Sequence, residues 1–355
     1  FRGRNSEIVD QANYDQKVFF CLKHNHAFVE NILDVNSIYK YYATTTFSSK
    51  GAIDCLVNLF KYTEKKIKNY LAYDLIDIGG NDSTYLKFFK KSKKFRLNVD
   101  PNAISDDKNI KINKTFFEKV SFKNLRKKNK TLFFSSHTLE HLEDPAKLIK
   151  ELSQAMNKLD HAIFQFPSIE KMVEDKKFEQ ICHQHINYFS ISSINALCKK
   201  YGLFIHDYEY DRSHFGTLRI HIKKTYSKTK IEKDKFLFNK AKKNYLLFKN
   251  YYKNLNNILV SDYDKSQGFG AGLMVPILAY YLPVINSLQC IIDDNLKRCN
   301  KKYINLNPLI KNSKYLDKNT PTLITSITTK EAGRQIFKKL TNLGVKNITL
   351  PAINS

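Results

Sequence analysis

The chain has 355 residues, 42% of them apolar and 26% charged, with a net charge of +25. That length supports roughly two to three domains with real cores, and no apolar run is long enough to span a bilayer. The charge admits a nucleic-acid binder, but the lysines lie in short runs such as "KYTEKKIKNY" and "LRKKNK" along the whole chain. There is no basic arm, zinc-finger spacing or aromatic RNA-binding signature, so solvated faces and a general attraction for small anions are expected, with no nucleic acid and no membrane as partner.

Residues 1–49 contain "KVFFCLKHNHAFVENILD", a strand followed by Cys21 and His24 at the C-x-x-H spacing of half a zinc site. The upstream place for the other half reads "FRGRNSE", with Phe1 and Arg4 where sulfur is needed. Two ligands do not close a tetrahedral site, so Cys21 and His24 are metal candidates without partners and zinc is not expected. The six cysteines form no C-x-x-C pair, which argues for a reducing, cytoplasmic setting.

After the helical run "AIDCLVNLFKYTEKKIKNYL" comes "YDLIDIGGNDSTYLKFFKKSKKFRLNVDPN". "DLIDI" predicts a buried strand, "GGND" a tight turn, "STYLKFFKK" a helix and "FRLNVD" a second strand ending on Asp100. This is the opening β-α-β of a doubly wound α/β sheet, which binds ligand at the carboxyl ends of its strands. The turn lacks the third glycine of a dinucleotide fingerprint. An acid, Asp77, stands before Gly79 and another, Asp100, closes the second strand, which is the look of an S-adenosylmethionine site. Asp77, Gly79, Asn81, Asp100 and Ser135 are the cofactor-binding candidates.

"TLFFSSHTLEHLEDPAKLIKELSQAM" reads as strand, polar turn and helix, with Asp144 as N-cap and Pro145 as first helical residue. "HAIFQFPS" is a further strand, and "YGLFIHDYEY" and "GTLRIHIKK" a closing antiparallel pair. Between them lies "FEQICHQHINYFS", whose two histidines no minimal sheet requires. A lysine- and tyrosine-rich helical stretch, residues 227–259, leads to a second, smaller α/β unit. Its "GFGAG" turn offers Gly268 and Gly270 to a diphosphate, or serves only as a tight turn. A nicotinamide site there lacks the remaining spaced glycine.

In this order, "VFFCLKH", "YYATTTFSS", "DIGGNDST", "SSHTLEHLEDP", "FEQICHQHINYFS" and "GFGAG" resemble the sugar-nucleotide C-methyltransferases acting on dTDP-linked keto-deoxysugars. The resemblance implies a small N-terminal domain of degenerate zinc-binding type (1–49), a class I methyltransferase sheet with a histidine-bearing insert (50–226), a helical linker (227–259) and a C-terminal Rossmann-like α/β domain for the nucleotide sugar (260–355). It implies S-adenosylmethionine as cofactor, a small nucleotide-sugar as substrate, and a reaction in which a base removes a proton beside a ketone and the enolate attacks the methyl group. By position His185 matches the base, His141 a second active-site histidine, and Tyr42 or its neighbour Tyr41 an active-site tyrosine. His183, Gln184, Gly268 and Gly270 are further substrate-binding candidates. The family pattern tyrosine-histidine-glutamate-histidine is replaced here by Cys182, His183, Gln184 and His185, so the carboxylate beside the base is an amide. This departure leaves open O- or N-methylation of another small anionic metabolite, or a non-catalytic sugar-nucleotide-binding relative. Oligomeric state is left open.

Overall fold

The computed structural model describes residues 16–32, 45–48, 50–211, 216–262, 265–272, 274–326 and 330–351. Phe1, Arg4, Tyr41 and Tyr42, named above, lie outside the described residues. Contacts divide the chain into two compact units, one of Gln16–Met172 with His183–Phe238, the other holding Val173–Cys182 and the chain from Asn239 onward.

The first unit is built on a seven-stranded sheet. Its strands are β3 (Asp74–Ile78), β4 (Arg96–Val99), β5 (Ile110–Asn113), β6 (Thr131–Ser136), β7 (His161–Pro167), β9 (Phe204–Asp211) and β10 (Thr217–Lys223). They lie in the order β5-β4-β3-β6-β7-β10-β9. The pairs from β5 to β7 are parallel, and β10 runs antiparallel to both β7 and β9. The central strands carry apolar side chains on both faces, as a parallel sheet covered on both sides requires. Ile76, Ile78, Val99 and Phe133 join one core with the helices Pro145–Ala155 and Ile191–Lys200. Leu75, Leu132, Phe134 and Ile163 join the other with the helix Lys50–Lys66. Each fully buried Leu, Ile or Phe contributes about 1.5–3 kcal/mol.

Local chemistry sets the helix starts. Asp144 accepts from the Lys147 amide at 3.1 Å and Pro145 follows it, as the sequence predicts. Ser190 and Ser193 form a reciprocal capping box at the helix Ile191–Lys200. The helix expected over "STYLKFFKK" is a single turn, Thr84–Lys87. Phe89 explains the difference. It is fully buried, with its ring 5.4 Å from Tyr85, 5.5 Å from Phe134 and 5.0 Å from Phe60, and it draws the backbone into turns.

A small antiparallel sheet joins β1 (Val18–Cys21), β2 (His26–Val29) and β8 (Asn187–Tyr188), with Ala27 opposite Tyr188. The histidine-bearing insert thus supplies an edge strand to the N-terminal hairpin.

The other unit carries an all-parallel sheet of β11 (Gln267–Phe269), β12 (Cys290–Asp293), β13 (Leu309–Asn312), β14 (Thr322–Ile324) and β15 (Ile348–Thr349), in the order β13-β12-β11-β14-β15. Its long helix runs Leu237–Asp262. The sheet order reverses between β11 and β14, where ligands of such sheets bind. No helix among the described residues is long and apolar enough to cross a membrane.

At the far end of the first sheet His161 Nδ1 and His221 Nε2 lie 2.7 Å apart with their rings stacked. Burial, with Lys223 and His206 nearby, lowers His161 to about 4; burial and His161 lower His221 to about 3. The unfolded chain takes up protons below about pH 6.5, so it binds more of them than the fold does between there and about pH 4. Stability contributed by this neutral pair is therefore present above about pH 6.5 and is lost as pH falls through about 4 for His161 and toward about 3 for His221. Melting curves across this window should show a falling Tm, with His221 contributing at most about 1.4 kcal/mol per pH unit. His221→Gln should flatten the profile; an unchanged slope would refute the assignment.

Candidate active site

The carboxyl ends of β3 and β4 form an acidic turn. Asp77 is buried at 2% exposure, and its Oδ1 has no hydrogen-bond partner among the described residues. Burial, with Asp100 and Asp82 close by, pushes its carboxyl up to about 7. Burial also raises Asp100, against amide bonds from Asn102 at 2.6 Å and Asn81 at 3.2 Å. Asp82 accepts from Thr84 through one oxygen and from the Phe47 amide, at 2.8 Å, through the other. The backbone admits only glycine at 79, where φ is +78° and a Cβ would stand 2.1 Å from Thr138 Oγ1. A Cβ at Gly80 would meet Asn98 Oδ1 at 2.5 Å and Asp77 Oδ2 at 2.8 Å.

Thr138 belongs to the segment that carries the histidines. β6 ends at Ser136, and His137 then adopts a left-handed φ of 52°, a costly conformation for a non-glycine residue and one often held at functional sites. Its amide is tied to Gln165 O at 2.9 Å. The chain turns over the end of β3, where Thr138 Oγ1 donates to Ile78 O at 3.3 Å. A short 3-10 turn, Leu139–His141, follows.

Glu140 in this turn is 1% exposed. Its Oε1 lies 3.2 Å from His137 Nδ1 and 3.8 Å from His141 Nε2, while Oε2 is buried with no hydrogen-bond partner among the described residues. His141 Nδ1 donates to the backbone carbonyl of Gln184 at 2.7 Å. In the neutral ring this leaves the lone pair on Nε2. The His185 ring stands 5.0 Å from that of His141, at an angle of 61°. Asn187 holds the insert in place, donating to Leu142 O at 2.6 Å and accepting from His26 Nε2 at 3.1 Å.

The Glu140 carboxylate continues into a second chain of contacts. His137 Nε2 lies 3.7 Å from Cys55 Sγ, which is also 3.6 Å from Gln165 Oε1 and 3.8 Å from Thr217 Oγ1. Arg219 donates to Gln165 Oε1 at 3.1 Å and pairs with Glu209 and Asp211. Burial alone would lower His137, but Cys55 and Glu140 push it up to about 10. Burial would raise Glu140, yet His137, His141 and His185 hold it at about 2. Burial would also raise the Cys55 thiol, and His137 with Arg219 carries it below the ordinary value. The result is a buried carboxylate held beside an imidazolium.

The structure brings Asp77, Gly79, Asn81 and Asp100 together at one turn, and His141, Gln184 and His185 together beside it. Ser135 is committed to β3, donating to Ile78 O at 3.1 Å. His183 is half-buried in the insert. Gly268 and Gly270 lie in the other unit. A Cβ at Gly268 would stand 2.9 Å from Thr325 Cγ2, and one at Gly270, where φ is +99°, 1.9 Å from Ser326 Oγ, so close packing accounts for both glycines. Cys21 Sγ and His24 Nδ1 are 3.4 Å apart. Sequence reasoning missed His137, Glu140 and Cys55. "HTLEH" held the signal for the first two, since positions three apart share a face of a turn. Cys55 gave none.

Residues 45–207 match the protein family described as "Methyltransferase domain". No curated protein sequence matches the chain. Among solved structures, the chain is similar to a complex of the Haloferax volcanii Trm112 methyltransferase activator with a putative methyltransferase, at 13% identity and a TM-score of 0.44 over 56% of this chain and 100% of that one. It is similar to magnesium protoporphyrin IX methyltransferase from Synechocystis PCC 6803 with bound SAH, at 11% identity and a TM-score of 0.41 over 54% and 100%. A third is an S-adenosylmethionine-dependent methyltransferase, possibly acting on histamine, from Thermotoga maritima, at 13% identity and a TM-score of 0.39 over 54% and 96%. The matched region has the fold of a methyltransferase domain, for which the sequence leads one to expect S-adenosylmethionine as cofactor.

The acidic turn fits that cofactor. S-adenosylmethionine carries an ammonium and a sulfonium, and a buried carboxylate oxygen of Asp77 lacks a donor. A cation there would relieve the crowding of Asp77, Asp82 and Asp100, and Asp100, at the end of β4, is the residue the sequence reading assigns to the ribose hydroxyls. Because a cation favours ionised Asp77, cofactor affinity should fall as pH drops through about 7, and Asp77→Asn should show weak, pH-independent binding. Asp100→Ala should cost about 1.5–3 kcal/mol for each hydrogen bond lost. Calorimetric titration of the cofactor at several pH values checks both; an unchanged affinity in Asp100→Ala would remove it from the site.

Proposed function

We propose that the enzyme C-methylates a small nucleotide-linked keto-deoxysugar through base-assisted enolate formation. The observation that supports this most is the pair of imidazoles, His141 and His185, with ring centroids 5.0 Å apart beside a buried carboxylate, on a segment packed against the Gly79 turn. S-adenosylmethionine supplies the electrophilic methyl group. His185 takes the proton from the carbon beside the ketone, and the electron pair moves to the carbonyl oxygen. His141 in its protonated form donates from Nε2 to that oxygen, with Nδ1–H held on Gln184 O and Glu140 balancing the charge. The carboxylate absent at Gln184 is thus supplied from another segment. Six free cysteines accord with a cytoplasmic location.

A second reading, O- or N-methylation of another small anionic metabolite, is favoured by one feature. Glu140 and His141 alone form a carboxylate-supported base, which a hydroxyl or amine substrate requires without an enolate donor.

The purified enzyme should be incubated with methyl-labelled S-adenosylmethionine and a panel of dTDP-linked keto sugars. Label should appear on carbon, and the substrate's α-proton should exchange with deuterated solvent. Label on oxygen or nitrogen without α-exchange would replace the first reading by the second. His185→Asn should lose roughly 10²–10⁴-fold in turnover, with cofactor affinity retained.

A further inference from the structure

We propose that Glu140, His141 and His185 form a binding site for a late first-row divalent cation, such as Zn2+ or Co2+. The three residues each present one ligand-type atom, and these atoms lie within 4.8 Å of one another. Ligands on a tetrahedral zinc at about 2.0–2.1 Å stand about 3.3 Å apart, and the Glu140 carboxylate already reaches within 3.8 Å of His141 Nε2 through Oε1, the oxygen shared with His137.

Outer contacts hold the ligands in a state that suits a metal. His141 gives its Nδ1–H to a backbone carbonyl, the arrangement that fixes a metal-ligating imidazole with Nε2 as donor atom. Glu140 is anchored through Oε1 by His137, and its Oε2 is buried without a partner. An unpartnered carboxylate oxygen at 1% exposure is costly, and a cation would satisfy it. Two imidazoles and one carboxylate suit zinc or cobalt, whereas Mg2+ and Ca2+ prefer an all-oxygen shell. Cys21 and His24 form a separate, two-ligand pair.

Such an ion would occupy the His185 lone pair that serves as base and the Nε2 from which His141 donates in the proposed reaction. Metal binding and methyl transfer would exclude each other, so Zn2+ should inhibit and a chelator should restore turnover; this consequence rests on the function proposed above. Binding is measured independently of it. The chelator-treated full chain is titrated with Co2+ by visible absorption and with Zn2+ by calorimetry. Expected is a saturable site with ligand-field bands and no sulfur-to-metal charge transfer, unmatched by Mg2+ and unaffected by Cys21→Ser. Glu140→Gln and His185→Asn should each weaken it at least about tenfold, the loss that even an outer contact produces. Glu140→Gln disturbs a buried ion pair; if it does not fold, the half-buried His185→Asn decides. Absence of saturable binding, a thiolate band, or unchanged affinity in His185→Asn overturns the site. Metal binding with the expected residue dependence but no inhibition upholds the site and refutes the base assignment.

Discussion

Burial of the Glu140 carboxylate beside His137 is the constraint around which the active region is arranged. A charge at 1% exposure survives only with opposite charge at hand, and His137 supplies it. Holding His137 there requires a left-handed backbone, and that turn carries Thr138 against Gly79 and His141 toward the insert. The same imidazole reaches back to Cys55 on the helix Lys50–Lys66. One ion pair therefore links a helix, the end of β6 and the approach to the cofactor turn.

The two halves of the site use opposite electrostatics. At the cofactor turn, like charges are crowded, and Asp77 is forced up to about 7 until a cation arrives. At the histidine cluster, opposite charges are paired, and Glu140 is held at about 2. The first half holds acids whose mutual repulsion favours a proton or a cation. The second keeps a fixed anion beside two imidazoles.

The sheet was legible in the sequence because its central strands are short apolar runs bounded by turn residues, and because Asp144, Pro145 and the terminal alternation in "TLRIHIKK" carry local chemistry. The acidic turn that gathers Asp77, Gly79 and Asp100 was legible for the same reason, since all three lie at strand ends. The helix after Ser83 was overextended, because the pull of Phe89 into a cluster with Phe60 and Phe134 is a tertiary effect. The histidine cluster was half legible. His141 and His185 stood out by residue type, but Glu140 and Cys55 take their meaning from partners brought together only by folding. The strand β8 was invisible for a related reason: two residues, Asn187 and Tyr188, carry no periodic signal, and pairing with Ala27 makes them a strand.

The link between His141 and residue 184 runs through a main-chain carbonyl, not a side chain. A carbonyl oxygen is present whatever residue stands at that position. The orientation of His141 is therefore insulated from substitution at 184, and the glutamine there leaves the hydrogen bond intact. What the fold must preserve at 184 is a backbone position, fixed by Asn187 three residues on, so this site is vulnerable to insertion or deletion between them far more than to a change of side chain.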